Sequence, residues 1–148
     1  LTAGPRRIAD TLRLPGEIHL NRDRLVHVVS PLDGIAVSVH ANAGDRVQRD
    51  QVLAVVSSQT LAQLRNAYAA AEARLGLARR AAEREEKLWR EGITPEQDYL
   101  QAAHDQRAAE IETASARQQL QALGLPLRGS DNPAQFALRA LADGTVID

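Results

Sequence analysis

The pattern of apolar and polar positions divides the chain into a strand-rich part and one long helical part. From Gln59 to Leu123, apolar residues recur with helical spacing over two arms whose interiors contain no proline. Gly92 stands where the first arm ends, and a second arm starts directly after it. The pattern predicts two antiparallel helices joined by a short turn, each about 40 to 50 Å long.

The residues between the two arms carry a helix-start signal. Thr94 is predicted to be the N-cap, Pro95 the first helical residue and Gln97 the second member of a capping box. Apolar residues and alanines follow an approximate heptad along both arms: Leu61, Leu64, Tyr68, Ala71, Leu75, Ala78, Ala82 and Trp89, then Tyr99, Ala102, Ala109, Ala116, Leu120 and Leu123. Charged residues flank this seam, which predicts a solvated two-stranded coiled coil.

Short alternating runs bounded by turn residues precede the helical part. Strands are predicted at about 26–29, 35–39 and 52–56. Gly34 and Gly44 lie in the intervening turns, where the backbone needs either a positive φ or a close approach to a neighbouring segment.

The segment after the hairpin repeats this strand pattern. Laying Asp143-Gly144 on Asp33-Gly34 brings four apolar residues of the second segment onto four of the first: Phe136, Leu138, Val146 and Ile147 onto Val26, Val28, Ala36 and Val37. We therefore expect a turn at Gly144, a hairpin inserted between two halves of one small β-domain, and a natural protein that continues beyond Asp148.

These elements predict an α+β fold in which a long antiparallel coiled-coil hairpin, residues 59–124, is inserted into a small β-sandwich. Residues 25–58 and 134–148 are predicted to form that β-domain, with its second half truncated. Ile8 to Leu20 alternates around a Pro-Gly pair, which predicts two short strands, or one broken strand, within a first segment of residues 1–24.

Composition excludes several classes of protein. The net charge is -1 and the pI is about 6.5, with basic and acidic residues interspersed, so we expect no nucleic-acid partner. The absence of cysteine excludes disulfides and thiolate metal sites, and no apolar run approaches the ~20 residues that cross a bilayer. The chain begins at Leu1 and contains no methionine, so we expect a processed product or an excised part of a longer protein.

The candidate chemistry is sparse. No pair of histidines has a compact ligand spacing, and the absence of Cys and Met excludes a soft Cu(I) or Ag(I) site from this segment; the histidines are His19, His27, His40 and His104. There is no phosphate loop and no nucleophile with a plausible base, so we predict neither an enzyme nor a bound cofactor or metal. The single lysine, Lys87, lies far along a helix and not on a β-hairpin where a carrier domain would be modified.

The order and spacing of the motifs resemble the periplasmic adaptor proteins, or membrane fusion proteins, of tripartite efflux pumps. The matching segments are Ser30–Ala36, Ala43–Ala54 and the Ser57-Ser58 pair that leads into the hairpin. The resemblance implies a split biotinyl/lipoyl-like β-domain, with residues 1–24 leading into a mostly missing β-barrel domain. Glu83–Tyr99 looks most like the adaptors of heavy-metal pumps of the resistance-nodulation-division class.

The resemblance implies a non-enzymatic subunit that bridges an inner-membrane, proton-driven exporter and an outer-membrane channel, with divalent heavy-metal cations as cargo. Arg84, Leu88 and Thr94 match the residues with which family adaptors meet the channel, although the spacing from Leu88 to Thr94 is one residue shorter than in drug-pump adaptors. We expect a periplasmic protein, associated with the inner membrane of a Gram-negative bacterium, that assembles into a ring.

Three alternatives remain open at this point. The first is an adaptor for drug or protein export, which shares the fold but not the cargo. The second is a biotinyl or lipoyl carrier, which the position of Lys87 disfavours. The third is a coiled-coil scaffold with no role in transport.

Overall fold

The computed structural model describes residues 12–17, 19, 21–128 and 132–147. Three strands precede two long helices, and two strands follow them. The elements are β1 (Ile35–Val39), β2 (Arg46–Val47), β3 (Val52–Ser57), α1 (Gln59–Arg90), α2 (Glu96–Ala122), β4 (Gln135–Arg139) and β5 (Gly144–Thr145). Within these residues, neither helix has an apolar stretch long enough to cross a membrane.

The helix α1 begins at a serine cap. The Ser58 hydroxyl accepts a hydrogen bond from the backbone N–H of Leu61 at 3.5 Å, and Ser58 itself is fully buried. A capping hydroxyl satisfies one of the N–H groups that have no partner in the first turn of a helix. The start of the hairpin is therefore fixed within the protein interior, directly after β3.

The start of α2 differs from the predicted one. Pro95 occupies the N-cap with ψ 149°, an extended conformation, so the first helical residue is Glu96. The predicted capping box at Thr94 is therefore wrong, because the extended Pro95 places Thr94 outside the helix and no side chain caps α2. The first turn instead carries Glu96 and Asp98, whose negative charges are favourable near a helix N-terminus.

The two helices pack along the predicted seam. The buried seam residues are Leu61, Tyr68, Ala71, Ala82, Ala109 and Leu120. Thr113 is also buried on this seam, although the sequence analysis did not select it, and its hydroxyl donates to the Ala109 carbonyl at 2.8 Å. Trp89 lies at the edge of the seam and is 37% exposed.

Strands from either side of the hairpin pair directly with each other. In the three-stranded sheet the order is β1-β3-β4, all antiparallel, with Val56 opposite Phe136 and Ser57 opposite Gln135. A second antiparallel pair joins β2 to β5, with Arg46 opposite Thr145. Since β3 precedes α1 and β4 follows α2, the predicted α+β fold with an inserted hairpin is confirmed.

The hydrophobic core lies where the hairpin meets the three-stranded sheet. Val56 and Phe136 from the sheet contact Leu61, Tyr68 and Leu120 from the base of the hairpin. Leu61 and Leu120 are fully buried. Burial of apolar surface is the main favourable term in folding, so the sheet and the base of the hairpin stabilise each other.

The four selected glycines have different surroundings. A Cβ at Gly34 would lie 2.4 Å from the Ser57 carbonyl oxygen, which is the predicted close backbone approach. Gly44 has φ +94°, in the left-handed region, and Gly92 has φ +73°. Gly144 is the first residue of β5, directly after a bend at residues 141–143, and would have open space around a Cβ. A requirement for glycine at this turn stays a prediction.

The strand predicted at 26–29 does not form. Residues 25–30 are not in a strand, and Val26 and Val29 are exposed. A strand requires a neighbour that supplies its ladder of hydrogen bonds, and no described segment pairs with this one. The sequence repeat is therefore incomplete in structure, because Phe136 lies in a paired strand and its counterpart Val26 does not.

The first segment also differs from its prediction where the structure describes it. Residues 12–17 form no strand, and Arg22–Arg24 forms a short 3-10 turn. Residue 19 is not in a strand either, and residues 8–11, 18 and 20 of the predicted segment lie outside the described residues. The division of the chain into a β-barrel lead-in, a β-domain and a hairpin stays a prediction.

Candidate partner-binding site at the hairpin tip

The turn between the helices is closed by two backbone hydrogen bonds. The N–H of Gly92 donates to the Trp89 carbonyl and the N–H of Ile93 donates to the Leu88 carbonyl, both at 2.9 Å. With Gly92 in the left-handed conformation, these bonds form a Schellman motif, which satisfies carbonyls at the end of α1. The chain reverses within a few residues, so the tip is narrow.

Two aromatic rings join the helices at this end. Trp89 in the last turn of α1 stacks on Tyr99 in the first turns of α2, with ring centroids 5.1 Å apart and planes 5° from parallel. Such pairs stabilise by roughly 0.5–1.5 kcal/mol beyond their buried area. Both residues belong to the predicted seam, but the heptad pattern does not identify them as a stacked pair.

The structure brings the three predicted contact residues to the tip end of the hairpin. Arg84 and Leu88 lie one turn apart on α1, and Thr94 precedes α2. The Arg84 guanidinium is exposed and donates through Nε to Glu85 at 3.3 Å, whereas Leu88 is partly buried. The Thr94 hydroxyl oxygen is buried and has no hydrogen-bond partner among the described residues.

An apolar residue that the sequence analysis did not select lies at the apex. Ile93 is 64% exposed, between Gly92 and Thr94. Its backbone is fixed by the Schellman bond to Leu88, so its side chain is presented on an ordered turn. The available sequence signal was an isoleucine placed directly after the glycine that ends a helix.

The charges around the tip are mostly paired within the helix. Arg90 contacts Glu86 at 2.5 Å, and Lys87 lies 4.0 Å from Glu91. Exposed pairs of this kind contribute little to stability, typically below about 1 kcal/mol. Residues 84–98 nevertheless carry five acidic and three basic side chains, so the tip is net negative. Arg84 and Ile93 are both exposed on it.

The possible metal ligands of the described residues are dispersed. No cluster of three or more potential ligands from His, Asp or Glu occurs among them. His40 contacts the Ser38 hydroxyl at 3.0 Å, and His104 lies 3.9 Å from Asp105, both on the surface. Lys87 is exposed near the end of α1, far from any strand turn that could present it for modification.

Comparisons with known proteins agree with this architecture. Residues 63–122 match the family described as CzcB-like, alpha-helical hairpin domain. The chain is 41% identical over 147 residues to the cobalt-zinc-cadmium resistance protein CzcB of Cupriavidus metallidurans and 39% identical over 147 residues to the cation efflux system protein CzcB of Alcaligenes sp. strain CT14. Each alignment covers 99% of this chain and 28% of the relative.

The hairpin of this chain, residues 63–122, belongs to the CzcB-like family of alpha-helical hairpin domains. A solved structure supports the assignment, because the crystal structure of ZneB from Cupriavidus metallidurans superimposes with a TM-score of 0.69 at 32% identity. That match covers 83% of this chain and 51% of the ZneB chain. The chain thus spans little more than a quarter of the CzcB relatives, and the part it spans contains a CzcB-like hairpin.

Proposed function

We propose that this chain is the hairpin-bearing part of a periplasmic adaptor that connects an inner-membrane, proton-driven exporter to an outer-membrane channel. It has no catalytic role and works by geometry. The observation that carries the proposal is the hairpin itself, a long two-helix rod whose base is built into a β-sheet domain. Similarity to proteins named for cobalt, zinc and cadmium resistance supports divalent heavy-metal cations as the cargo.

The proposed contact with the channel is the tip. Arg84 supplies exposed donors that can bind carbonyls or carboxylates, and Leu88 and Ile93 supply apolar contact area. The area at one tip is small, so stable binding requires several copies arranged in a ring, where each additional contact becomes intramolecular. Self-association and association with the inner membrane belong to this proposal.

An adaptor for drug or protein export is the alternative function for the same architecture. The similarity of the chain to a nickel-cobalt-cadmium resistance protein, NccB of Alcaligenes xylosoxydans xylosoxydans, at 34% identity over 90 residues favours metals. A carrier domain is disfavoured because Lys87 lies on a helix. A scaffold without a transport role does not account for the similarity to proteins named for metal resistance and cation efflux.

Deletion of the gene in its native host tests the function. We expect growth in the presence of cobalt, zinc or cadmium salts to fall at concentrations that wild-type cells tolerate, with tolerance of dyes and antibiotics unchanged. Restoration by the intact gene is the control. Equal metal tolerance in the deletion strain, with a loss of drug tolerance, would replace metal cargo by drug cargo; no change in either would refute the adaptor.

A further inference from the structure

A buried arginine connects the base of the hairpin to the chain that returns to the sheet. Arg65 lies in the second turn of α1 and is only 5% exposed. Its Nη1 donates to the carbonyls of Pro133 at 2.7 Å and Gln135 at 3.0 Å, and its Nη2 donates to the carbonyl of Pro126 at 3.2 Å. One side chain therefore binds three backbone carbonyls of the return segment, which runs from the end of α2 to the start of β4.

These three acceptors lie on both sides of the connection between α2 and β4. Pro126 follows the end of α2, Pro133 precedes β4, and Gln135 is the first residue of β4. The guanidinium is planar and carries several donors in fixed directions, so it restrains the relative positions of its acceptors more strongly than a single hydrogen bond does. Arg65 thus links α1, the exit of α2 and the edge strand of the sheet.

Burial of the Arg65 charge costs free energy, which argues that the hydrogen bonds of Arg65 to the return segment are specific. Burial lowers the pKa of Arg65, and no carboxylate of a described residue lies in salt-bridge range of it. Most of the other arginines on α1 are exposed, and several pair with glutamates, as Arg74 does with Glu112 and Arg79 with Glu110. Main-chain carbonyls satisfy Nη1 and Nη2 of this buried guanidinium, whereas its Nε is buried without a hydrogen-bond partner among the described residues.

The remaining contacts at the base act in the same direction. The N–H of Ser58 donates to the Ala134 carbonyl at 2.9 Å, one residue from an Arg65 acceptor. Leu61 and Leu120 are fully buried beside Phe136. The hydrogen bonds of Arg65 and Ser58 therefore lie beside the core that joins the hairpin to the sheet.

Small rotations at this base become large displacements at the tip. Arg65 precedes Arg90 by roughly 25 residues, which is about 38 Å of helix at 1.5 Å per residue. A rotation of about 10° at the base would then move the tip by about 6–7 Å, more than the diameter of a side chain. A tip that must meet a partner at a defined place needs a base that does not rotate.

We propose that Arg65 is a positioning residue that sets the direction of the hairpin relative to the sheet, and so the location of the tip. The role of the tip in meeting a channel depends on the function proposed above, whereas the restraint at Arg65 does not. The guanidinium acts through the carbonyls of Pro126, Pro133 and Gln135, which keep the return segment against α1.

The absence of cysteine in the chain makes a direct distance measurement practical. Cysteines are introduced at exposed Arg46 in β2 and at exposed Gln97 near the start of α2, and both are spin-labelled in the full chain. Pulsed electron resonance then gives the distribution of distances from sheet to tip. We compare Arg65→Met, which keeps the length of the side chain and loses the donors, with Arg128→Met as the matched control.

Arg128 is a suitable control because it lines the same shallow cleft as Arg65 but is exposed, and its contact with α1 is a solvent-exposed ion pair with Glu72, of a kind that contributes little to stability. We expect Arg65→Met to at least double the width of the distance distribution, while the helix content measured by circular dichroism stays at the wild-type value. Arg128→Met is expected to leave the width unchanged. A folded Arg65→Met variant with the wild-type width would overturn the proposal.

Arg65→Lys keeps the experiment decisive if the methionine variant fails to fold. An ammonium group keeps the charge but cannot present the planar arrangement of donors, so an intermediate width is expected. A folded lysine variant with the wild-type width would refute the positioning role. This outcome is separate from the test of function, because the distance is measured on the purified chain and the metal tolerance in cells.

Discussion

At the scale of single residues, backbone conformation and packing explain why particular residue types stand where they do. Gly34 faces the backbone of β3, Gly92 reverses the chain, and Arg65 is buried where nearby helix charges are solvated. The glycines were accessible to sequence reasoning because turn residues bound each strand. Arg65 was not, since a buried arginine that binds carbonyls has the same sequence appearance as a surface one. The predicted N-cap at Thr94 is wrong because Pro95 adopts an extended ψ, which a capping pattern does not encode.

Alanine at Gly34 should destabilise the protein. The new Cβ would lie 2.4 Å from the Ser57 carbonyl oxygen and 2.8 Å from a Val56 methyl group, so backbone must move to admit it. We expect the free energy of unfolding in urea to fall by about 1–3 kcal/mol, the usual range for overpacking. Gly144→Ala is the matched control, because its Cβ would meet open space, and it should change stability by less than about 0.5 kcal/mol. Equal effects of the two changes would contradict this account of Gly34.

The lowered pKa of Glu72 predicts part of the loss of stability that the protein undergoes in acid. A hydrogen bond donated by the Tyr68 hydroxyl, supported by Arg128, lowers the pKa of Glu72 from its usual value of 4.5. A lowered pKa in the folded state stabilises the fold above pH 4.5, and this contribution is lost as the pH falls through the folded-state value.

The measurement is urea unfolding of the wild type and Glu72→Gln between pH 7 and pH 3. The wild type should lose more stability over this range than the variant does. Tyr68→Phe removes the largest cause of the shift, so nuclear magnetic resonance titration of that variant should show the pKa of Glu72 closer to its usual value. A steeper loss of stability in Glu72→Gln than in the wild type would contradict the assignment.

At the scale of elements, the helices were more predictable than the strands. Local signals determine both ends of α1, and the heptad of apolar and small residues determines which sides of α1 and α2 meet. β1 formed at 35–39 as predicted and β3 formed at 52–57, one residue longer than predicted. Residues 26–29 have the same alternation but form no strand, because pairing depends on a partner that local sequence does not specify.

The interior of α1 contains a glycine that the fold does not require. A Cβ at Gly76 would meet only the end of the Arg80 side chain, at 3.9 Å, and Gly76 lies in continuous helix. Alanine loses less backbone entropy on folding, so Gly76→Ala should raise the free energy of unfolding by about 0.5–1 kcal/mol. Thermal or urea unfolding measures the change.

Gly92→Ala provides the contrasting control for that prediction. Gly92 has φ +73°, and an alanine there should lower stability by about 1 kcal/mol because its Cβ is strained in the left-handed region. If Gly76→Ala were destabilising by a similar amount, α1 would need a flexible point in its interior, and the hairpin could not be treated as a straight rigid arm.

At the scale of the whole molecule, one continuous core joins a sheet to a rod. Strands on both sides of the hairpin pair with each other, and residues of the hairpin base complete the same core, so the rod is an integral part of the β-domain. The order of motifs and the resemblance to a family predict this connection. They do not predict how firmly the base is held, because the contacts of Arg65 join positions about 60 to 70 residues apart.

Site-specific photo-crosslinking from the tip tests the adaptor account most directly. A photoreactive amino acid at exposed Arg84, in the protein as expressed by its host, should form a covalent product with the outer-membrane channel of the pump. The same probe at exposed Ala73, about three turns closer to the base, should not. Channel adducts from Arg84 alone are the predicted result; adducts from Ala73 alone, or from neither position in cells that express the whole pump, would contradict the proposal that the tip meets the channel.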